Sequence, residues 1–358
     1  MPGPVQQCGD MTSAESTFLT VAGSRQLEEG SETLTEPARG RVFVDITYTG
    51  ICGTDVHGYT DGSMLPPAVF GHEWTGVVTA VGEGVVDVAV GQRVVGGVGP
   101  ACGHCAQCVA GHARQCDTVF AEANGVDADA PAHGAFATRV DVSRRRAIPI
   151  PDEVSDVEAA LVEPTSVTFH AVRRTAAEHG AIVVVQGAGP IGLLTAQHAR
   201  NAGAGHLIVA EPSVARREVA TNLGFAHVVA PDELRKRLDA VSNGLGADVF
   251  YECAGVAALL QPSAGYVRRG GTLSLLGFPL TESTVSYGDW QQRELRLVSS
   301  LAYNHEDFVG AIRSIASGRV DVTPLHTGTF ALGELATILE ELDSGTSGHA
   351  KVLIEPRR

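Results

Sequence analysis

The sequence predicts a β-rich, barrel-like unit joined to a doubly wound parallel α/β unit. Three observations carry that expectation. The chain has 358 residues, more than one ordinary core accommodates. From Thr17 to about Val98, short β-branched runs alternate with glycines. After about Ser166, apolar runs alternate instead with helical stretches, the signature of a parallel sheet covered on both faces.

Residues 1–16 show no pattern and are expected to be a disordered lead-in. MPGPVQQCGDMTSAES has neither a basic start nor an apolar core, so it does not read as a signal peptide. TFLTV, RVFVDITYTG, EWTGVVTAVG and QRVVGG read as strands of the first unit, followed by FATRVDV and AIPIP. The second unit is read from six runs: AIVVVQ, HLIVAE, HVV, ADVFYEC, GTLSLLG and LRLVSS. PIGLLTAQHARNAG and VARREVATNLG are helical stretches between them. The tail, from HEDFVGAIRSIASGRV through ELATILEELDSG to KVLIEP, returns to helices and a last strand. The expected division is 1–166, 167–299 and a return at 300–358 to the first unit.

Composition narrows the function. The chain is 44% apolar, 19% charged and carries a formal charge of −15. An acidic surface is a poor partner for phosphate backbones and anionic membranes, so neither nucleic acid nor membrane is expected as a partner. The most apolar stretch, AIVVVQGAGPIGLLTA, is too short and glycine-broken to span a bilayer. A cytoplasmic location follows as an expectation, and closely spaced cysteines there suggest metal rather than disulfides.

Gly187-Ala-Gly189-Pro190-Ile191-Gly192 follows a strand and opens a helix, the context in which such a turn cradles a pyrophosphate. A second strand ends at Glu211, where a carboxylate can bind the adenosine ribose hydroxyls and repel a 2′-phosphate. NAD is therefore expected over NADP, with Arg216 and Arg217 just beyond, placed to flank the adenine or, as the lesser alternative, a 2′-phosphate. Cys253, Gly277 and Phe278 end two further strands on the edge where this architecture binds ligands; Cys253 is expected to pack rather than react.

Cys102, Cys105, Cys108 and Cys116 follow C-x2-C-x2-C-x7-C. Four thiolates fill a tetrahedral zinc and leave no position for substrate, so residues 101–116 read as a structural lobe. An iron–sulfur cluster is the rival reading, disfavoured because no second cysteine group follows. A sparser set lies around it: Cys52-Gly-Thr54-Asp55-Val-His57, Gly71-His72-Glu73 and Glu163-Pro164.

In order and spacing these motifs closely resemble the zinc-containing medium-chain alcohol dehydrogenases, over residues 17–357. The resemblance implies a GroES-like catalytic domain with a Rossmann nucleotide-binding domain. It implies two zincs per chain, one structural and one catalytic, the latter held by Cys52, His72 and Glu163. A glutamate at 163 looks like the polyol, threonine and butanediol branches, in which Glu73 becomes a conditional ligand. Thr54 and His57 match the family's proton relay, and Asp55 its acid hydrogen-bonded to the zinc histidine. Gly53 stands where some members place a cationic pyrophosphate contact.

The expected activity is hydride transfer between NAD and a polar secondary alcohol: a polyol, amino alcohol, diol or aminocyclitol. The alternatives are a lyase or isomerase on the same scaffold with recycled NAD, and a non-catalytic zinc-binding interaction protein. Tyr59, Trp74, Phe120 and Phe278 are the aromatic residues expected near the substrate. A homodimer or homotetramer is expected, pairing through LSLLGF (273–278) or LRLVSS (295–300).

Overall fold

The structure is a computed structural model that describes residues 14–63, 66–279, 281–345 and 347–358. Of the expected lead-in, residues 1–13 lie outside the described residues. Ala14–Ser16 are already strand, because the first strand, β1 (Ala14–Gly23), pairs antiparallel with β2 (Gln26–Leu34). β2, sequence QLEEGSETL, escapes a reading based on apolar alternation because its side chains are mostly polar and exposed.

The main sheet of the first unit uses β3 (Arg41–Gly50), β4 (Glu73–Val81), β5 (Arg93–Gly96), β6 (Arg139–Ser143) and β7 (Ala147–Pro149). Alternate residues Val42, Val44 and Ile46 of β3 turn inward against Trp74, Val78, Val94, Val140 and Val142.

The chain then enters a six-stranded parallel sheet: β8 (Ile182–Gln186), β9 (His206–Ala210), β10 (Val228–Val229), β11 (Ala247–Glu252), β12 (Val267–Leu275) and β13 (Arg296–Ser299). Their spatial order is β10-β9-β8-β11-β12-β13. This is the 3-2-1-4-5-6 order whose direction reverses between its first and fourth strands, where a crevice opens beyond the strand ends. Val183 and Val185 face one side of this sheet and Val184 the other, each buried in a separate apolar layer.

Finally β14 (His326–Ala331) and β15 (Lys351–Glu355) rejoin the first sheet. β15 pairs with β3 at Leu353↔Gly50 and Ile354↔Thr49, so the chain's last strand lies beside the loop that carries Cys52. The fold corrects one expectation about assembly. β12 is flanked on both sides by β11 and β13, so LSLLGF is not an edge; β13 is, with Leu297 half-exposed.

Candidate active site

Cys52 precedes the helix Gly53–Asp61, and Asp55 in its first turn fixes the helix start: its Oδ2 accepts the Cys52 backbone N–H at 2.7 Å. The other oxygen, Oδ1, accepts the N–H of Gly71 at 2.8 Å. Gly71 has φ +76, and a Cβ there would lie 2.7 Å from the Phe136 backbone nitrogen, so the turn that presents His72 requires glycine. One buried carboxylate thus ties the Cys52 loop to the His72 turn.

The hydrogen bond expected between Asp55 and His72 is not made. His72 Nδ1 donates to the Val69 carbonyl at 2.7 Å, and Asp55 lies 4.0 Å away. A carbonyl can only accept, so Nδ1 carries the proton and Nε2 keeps its lone pair for a metal. A backbone group does the orienting that the sequence assigned to a side chain.

The donor atoms of Cys52, His72 and Glu73 lie within 4.8 Å of one another. Glu163, at the start of the helix Val162–Thr175, is buried next to this trio but does not belong to it by that distance. Glu73 is held from the other side: both its oxygens accept from Lys351 Nζ, at 2.8 and 2.7 Å, and the same ammonium donates to the Ile51 carbonyl at 2.9 Å. Glu73 is 1% exposed and Lys351 5%, so each supplies the countercharge that makes the other's burial tolerable.

Burial pushes Glu163 up to about 7, against the pull of His72, and pushes Asp55 up to about 6. Burial alone would lower His72, but Cys52, Glu163 and Asp55 together hold the imidazole well above its ordinary range. A soft sulfur, an imidazole and a hard carboxylate gathered in one cluster fit zinc.

The cysteine lobe is built differently. Cys102, Cys105, Cys108 and Cys116 have their sulfurs within 4.8 Å of one another, and the described cysteines form no disulfide. Backbone N–H groups of Cys105 and Cys102 point at the sulfurs of Cys102 and Cys116, both at 3.3 Å. The Thr118 hydroxyl and such N–H donors lower Cys102, whereas desolvation raises Cys108. Four thiolates are stabilised together only around a metal, and this geometry fits a closed zinc site.

In the second unit Gly187 has φ +100, and a Cβ at Gly192 would meet the Gly187 carbonyl at 1.9 Å. Around Gly189 no atom lies within 4 Å of such a Cβ, which leaves an open cradle at the start of the helix Pro190–Asn201. The cradle fits a dinucleotide pyrophosphate. Glu211 closes it from β9: its Oε2 accepts the Ala188 N–H and its Oε1 the Ser213 N–H. Arg216 is exposed, while Arg217 is tied to the Glu211 and Pro212 carbonyls. Cys253 packs its sulfur 3.8 Å from Thr195 Oγ1, and desolvation raises its thiol far above the ordinary value. Gly277 and Phe278 follow β12, with Phe278 72% exposed.

Known proteins match this arrangement. Residues 38–152 match the alcohol dehydrogenase GroES-like domain and residues 190–317 the zinc-binding dehydrogenase domain. The 2-dehydro-3-deoxy-L-galactonate 5-dehydrogenase of Pseudoalteromonas atlantica is 35% identical over 89% of this chain and 92% of its own. The sorbitol dehydrogenase of Bacillus subtilis is 33% identical over 91% and 94%. The solved structure of the E. coli alcohol dehydrogenase rspB with NADH superposes with a TM-score of 0.82 at 26% identity, covering 95% of this chain and 99% of that one. The chain belongs to the zinc-binding, GroES-like alcohol dehydrogenase family. It is an oxidoreductase, and its two units are the GroES-like and Rossmann-type domains.

Two aromatic residues expected in the dehydrogenase's pocket are elsewhere. Tyr59 is buried in the core, its hydroxyl donating to Glu340 at 3.0 Å, and Trp74 packs in the β3–β4 core. Phe120 is exposed and lines a cavity of about 380 Å³ between the cysteine lobe and the helix Val162–Thr175. The cleft on His72 is lined instead by Tyr303, Glu122 and Arg146, none singled out from sequence. Tyr303 lies beside Glu163, and burial, with that carboxylate, raises its hydroxyl well above the usual range. Lys351 was likewise missed, although it and Lys236 are the only lysines in the chain.

Proposed function

We propose that the dehydrogenase oxidises a polar secondary alcohol with NAD at a centre formed by Cys52, His72 and Glu163. The observation that carries this reading is the convergence of the Cys52 thiol and the His72 imidazole beside the buried carboxylates of Glu73 and Glu163, a mixed set unlike the four sulfurs of the cysteine lobe. Glu73 is within reach of the metal but both its oxygens are engaged by Lys351, which favours Glu163 as the third ligand and leaves Glu73 conditional.

Zinc supplies Lewis acidity toward the alcohol oxygen, and NAD supplies the hydride acceptor. The protein's own residues manage the proton. The Thr54 hydroxyl lies 3.8 Å from Cys52 Sγ at the head of the helix Gly53–Asp61, positioned to receive a proton from a bound hydroxyl. His57 stands one turn further on the same helix face and is half-buried, a suitable next carrier toward solvent. Glu211 supports NAD over NADP, because its buried carboxylate would repel a 2′-phosphate.

The relatives named above act on a sugar acid and on a polyol, and rspB carries NADH, all in keeping with this reading. The domain limits 1–166, 167–299 and 300–358, a cytoplasmic location and pairing of two copies along the exposed edge of β13 belong to the same proposal. Among the described residues no helix is long and apolar enough to cross a membrane.

The test is an NAD-reduction screen over polyols, sugar acids, amino alcohols and diols, with metal measured by mass spectrometry. Two zincs per chain and stoichiometric NADH are expected. Turnover without net NADH would transfer the reading to a lyase or isomerase. Glu163→Gln should lose the catalytic metal and Glu73→Gln retain it; the reverse result would make Glu73 the ligand.

A further inference from the structure

The link between β13 and the helix His305–Ala316 turns sharply inward at Tyr303. Leu301 is 57% exposed and Tyr303 only 8%. Between them Ala302 has φ +51, a left-handed conformation that a residue with a Cβ seldom adopts. Such strain persists only where the surroundings enforce it.

The surroundings here include the helix that carries Glu163. Asn304 caps the helix His305–Ala316, its Oδ1 accepting the Asp307 N–H at 3.0 Å. Asp307 is buried and accepts from His170 Nδ1 at 2.5 Å and from the Arg173 guanidinium. His170 and Arg173 stand about two to three turns beyond Glu163 on the helix Val162–Thr175. The Tyr303 ring rests against Phe308, with centroids 5.2 Å apart. The link is therefore clamped to the helix of Glu163, and the Tyr303 hydroxyl is hydrogen-bonded to the Glu163 carboxylate itself. Tyr303 also lines the cleft on His72.

The two glutamates of the centre are held in unlike ways. Lys351 uses all three N–H donors, two on the Glu73 oxygens and one on the Ile51 carbonyl. A phenol has one hydrogen to donate, so it engages one Glu163 oxygen and leaves the other free of it. It also adds no countercharge, whereas the ammonium offsets the charge that Glu73 would present to a cation.

We propose that Tyr303 is a positioning residue for the catalytic metal: its hydroxyl fixes one Glu163 oxygen so that the other serves with Cys52 and His72 as the third ligand. This rests on the Cys52–His72–Glu163 reading above and deepens it, since it supplies the means by which the chain selects one of two neighbouring glutamates.

The experiment is a cycle of Tyr303→Phe, Glu163→Gln and the double variant, with metal counted by mass spectrometry after dialysis against graded dipicolinate. Phenylalanine keeps the packing against Phe308 and removes only the hydroxyl, so the melting temperature should stay close to wild type. Tyr303→Phe should keep the zinc of the cysteine lobe and bind the second about 10–100-fold more weakly. In the Glu163→Gln background the same change should cost less than about 3-fold, because no carboxylate remains to be oriented. Cobalt(II) returned to the emptied site gives a second readout. Its visible bands should differ between wild type and Tyr303→Phe, and coincide for Glu163→Gln and the double variant.

Wild-type zinc affinity in Tyr303→Phe would overturn the proposal alone. An equal loss in both backgrounds would do the same, as the mark of a general packing defect. A Tyr303→Phe protein that fails to fold would also overturn it, because a hydroxyl that only positions a ligand does not hold the fold. If Glu163→Gln keeps both zincs as tightly as wild type, the ligand reading falls and the proposal with it. NADH formation is followed in parallel: the full metal pattern without alcohol oxidation would sink the dehydrogenase reading and leave the positioning role standing.

Discussion

The cysteine lobe and the Cys52–His72 centre both gather metal ligands, but they do so in opposite ways. The lobe takes four like ligands from residues 102–116 and orients them with backbone N–H groups of the same short loop. The centre brings unlike groups together, Cys52 from one segment and His72 and Glu73 from another with Glu163 beside them, and Asp55, the Val69 carbonyl and Lys351 hold them. A site made from one loop is closed and self-contained. A site made from distant segments can leave a coordination position open, at the cost of needing outside supports. The first arrangement suits bracing and the second suits chemistry.

The sharpest way to break this contrast is to remove one sulfur from each site. Cys52→Ser should lower kcat/KM by at least about 10³-fold, since loss of even a supporting partner of a metal ligand costs about 10–100-fold. Its melting temperature should stay close to wild type. Cys105→Ser should do the reverse, losing metal and thermal stability while the surviving folded fraction turns over within a few-fold of wild type. Equal activity losses at equal stability would erase the distinction.

Lys351→Met probes the outside supports. It leaves Glu73 buried without its countercharge, a change expected to destabilise by about 3–5 kcal/mol in urea titration. Adding Glu73→Gln to Lys351→Met should recover much of that loss; additive penalties would mean that the two groups do not act as a pair.

A smaller effect is expected at the cofactor. Glu211→Ala removes the acceptor for two backbone N–H groups and the carboxylate proposed to repel a 2′-phosphate. KM for NAD should rise roughly 10-fold and the NADP-to-NAD ratio of kcat/KM should increase. An unchanged ratio would remove Glu211 from cofactor selection.

A further effect is on acid sensitivity away from both cysteine sites. His198 is buried edge-on against Phe169, and burial lowers it to about 4. Its stabilising contribution is complete above about pH 6.5, where the unfolded imidazole is also neutral, and is lost as pH falls toward 4. Between pH 7 and pH 5 the loss should be about 2 kcal/mol. The urea midpoint of His198→Leu should fall less over that interval than that of wild type. Parallel curves would rule out this contribution.

The architecture was largely legible because it depends on local rhythm. Each of the six runs assigned to the parallel sheet is a strand, with ends shifted by a few residues; β12 starts four residues before GTLSLLG. β2 was not legible, since a polar hairpin strand has no apolar alternation to reveal it. The metal-ligating residue types were legible through their motifs, but their supports were not. Asp55 was matched to the wrong partner because a backbone carbonyl leaves no trace in residue identity. Arg146 was hidden in a charged run, which ordinarily marks a solvated face. Residues 144–146 form a single tight turn, so the three side chains diverge and only one enters the cleft.

The Lys351 ammonium that steadies Glu73 lies 300 positions after Ile51, whose carbonyl it also reaches. On a ribosome adding about 5–20 residues per second, roughly 15–60 s separate the two. The cysteine lobe is fully synthesised long before, and can capture its ion while the rest of the chain is still being made. The Lys351–Glu73 pair forms only once β15 lies beside β3. Translation order therefore places the residues of the brace ahead of the last support of the centre.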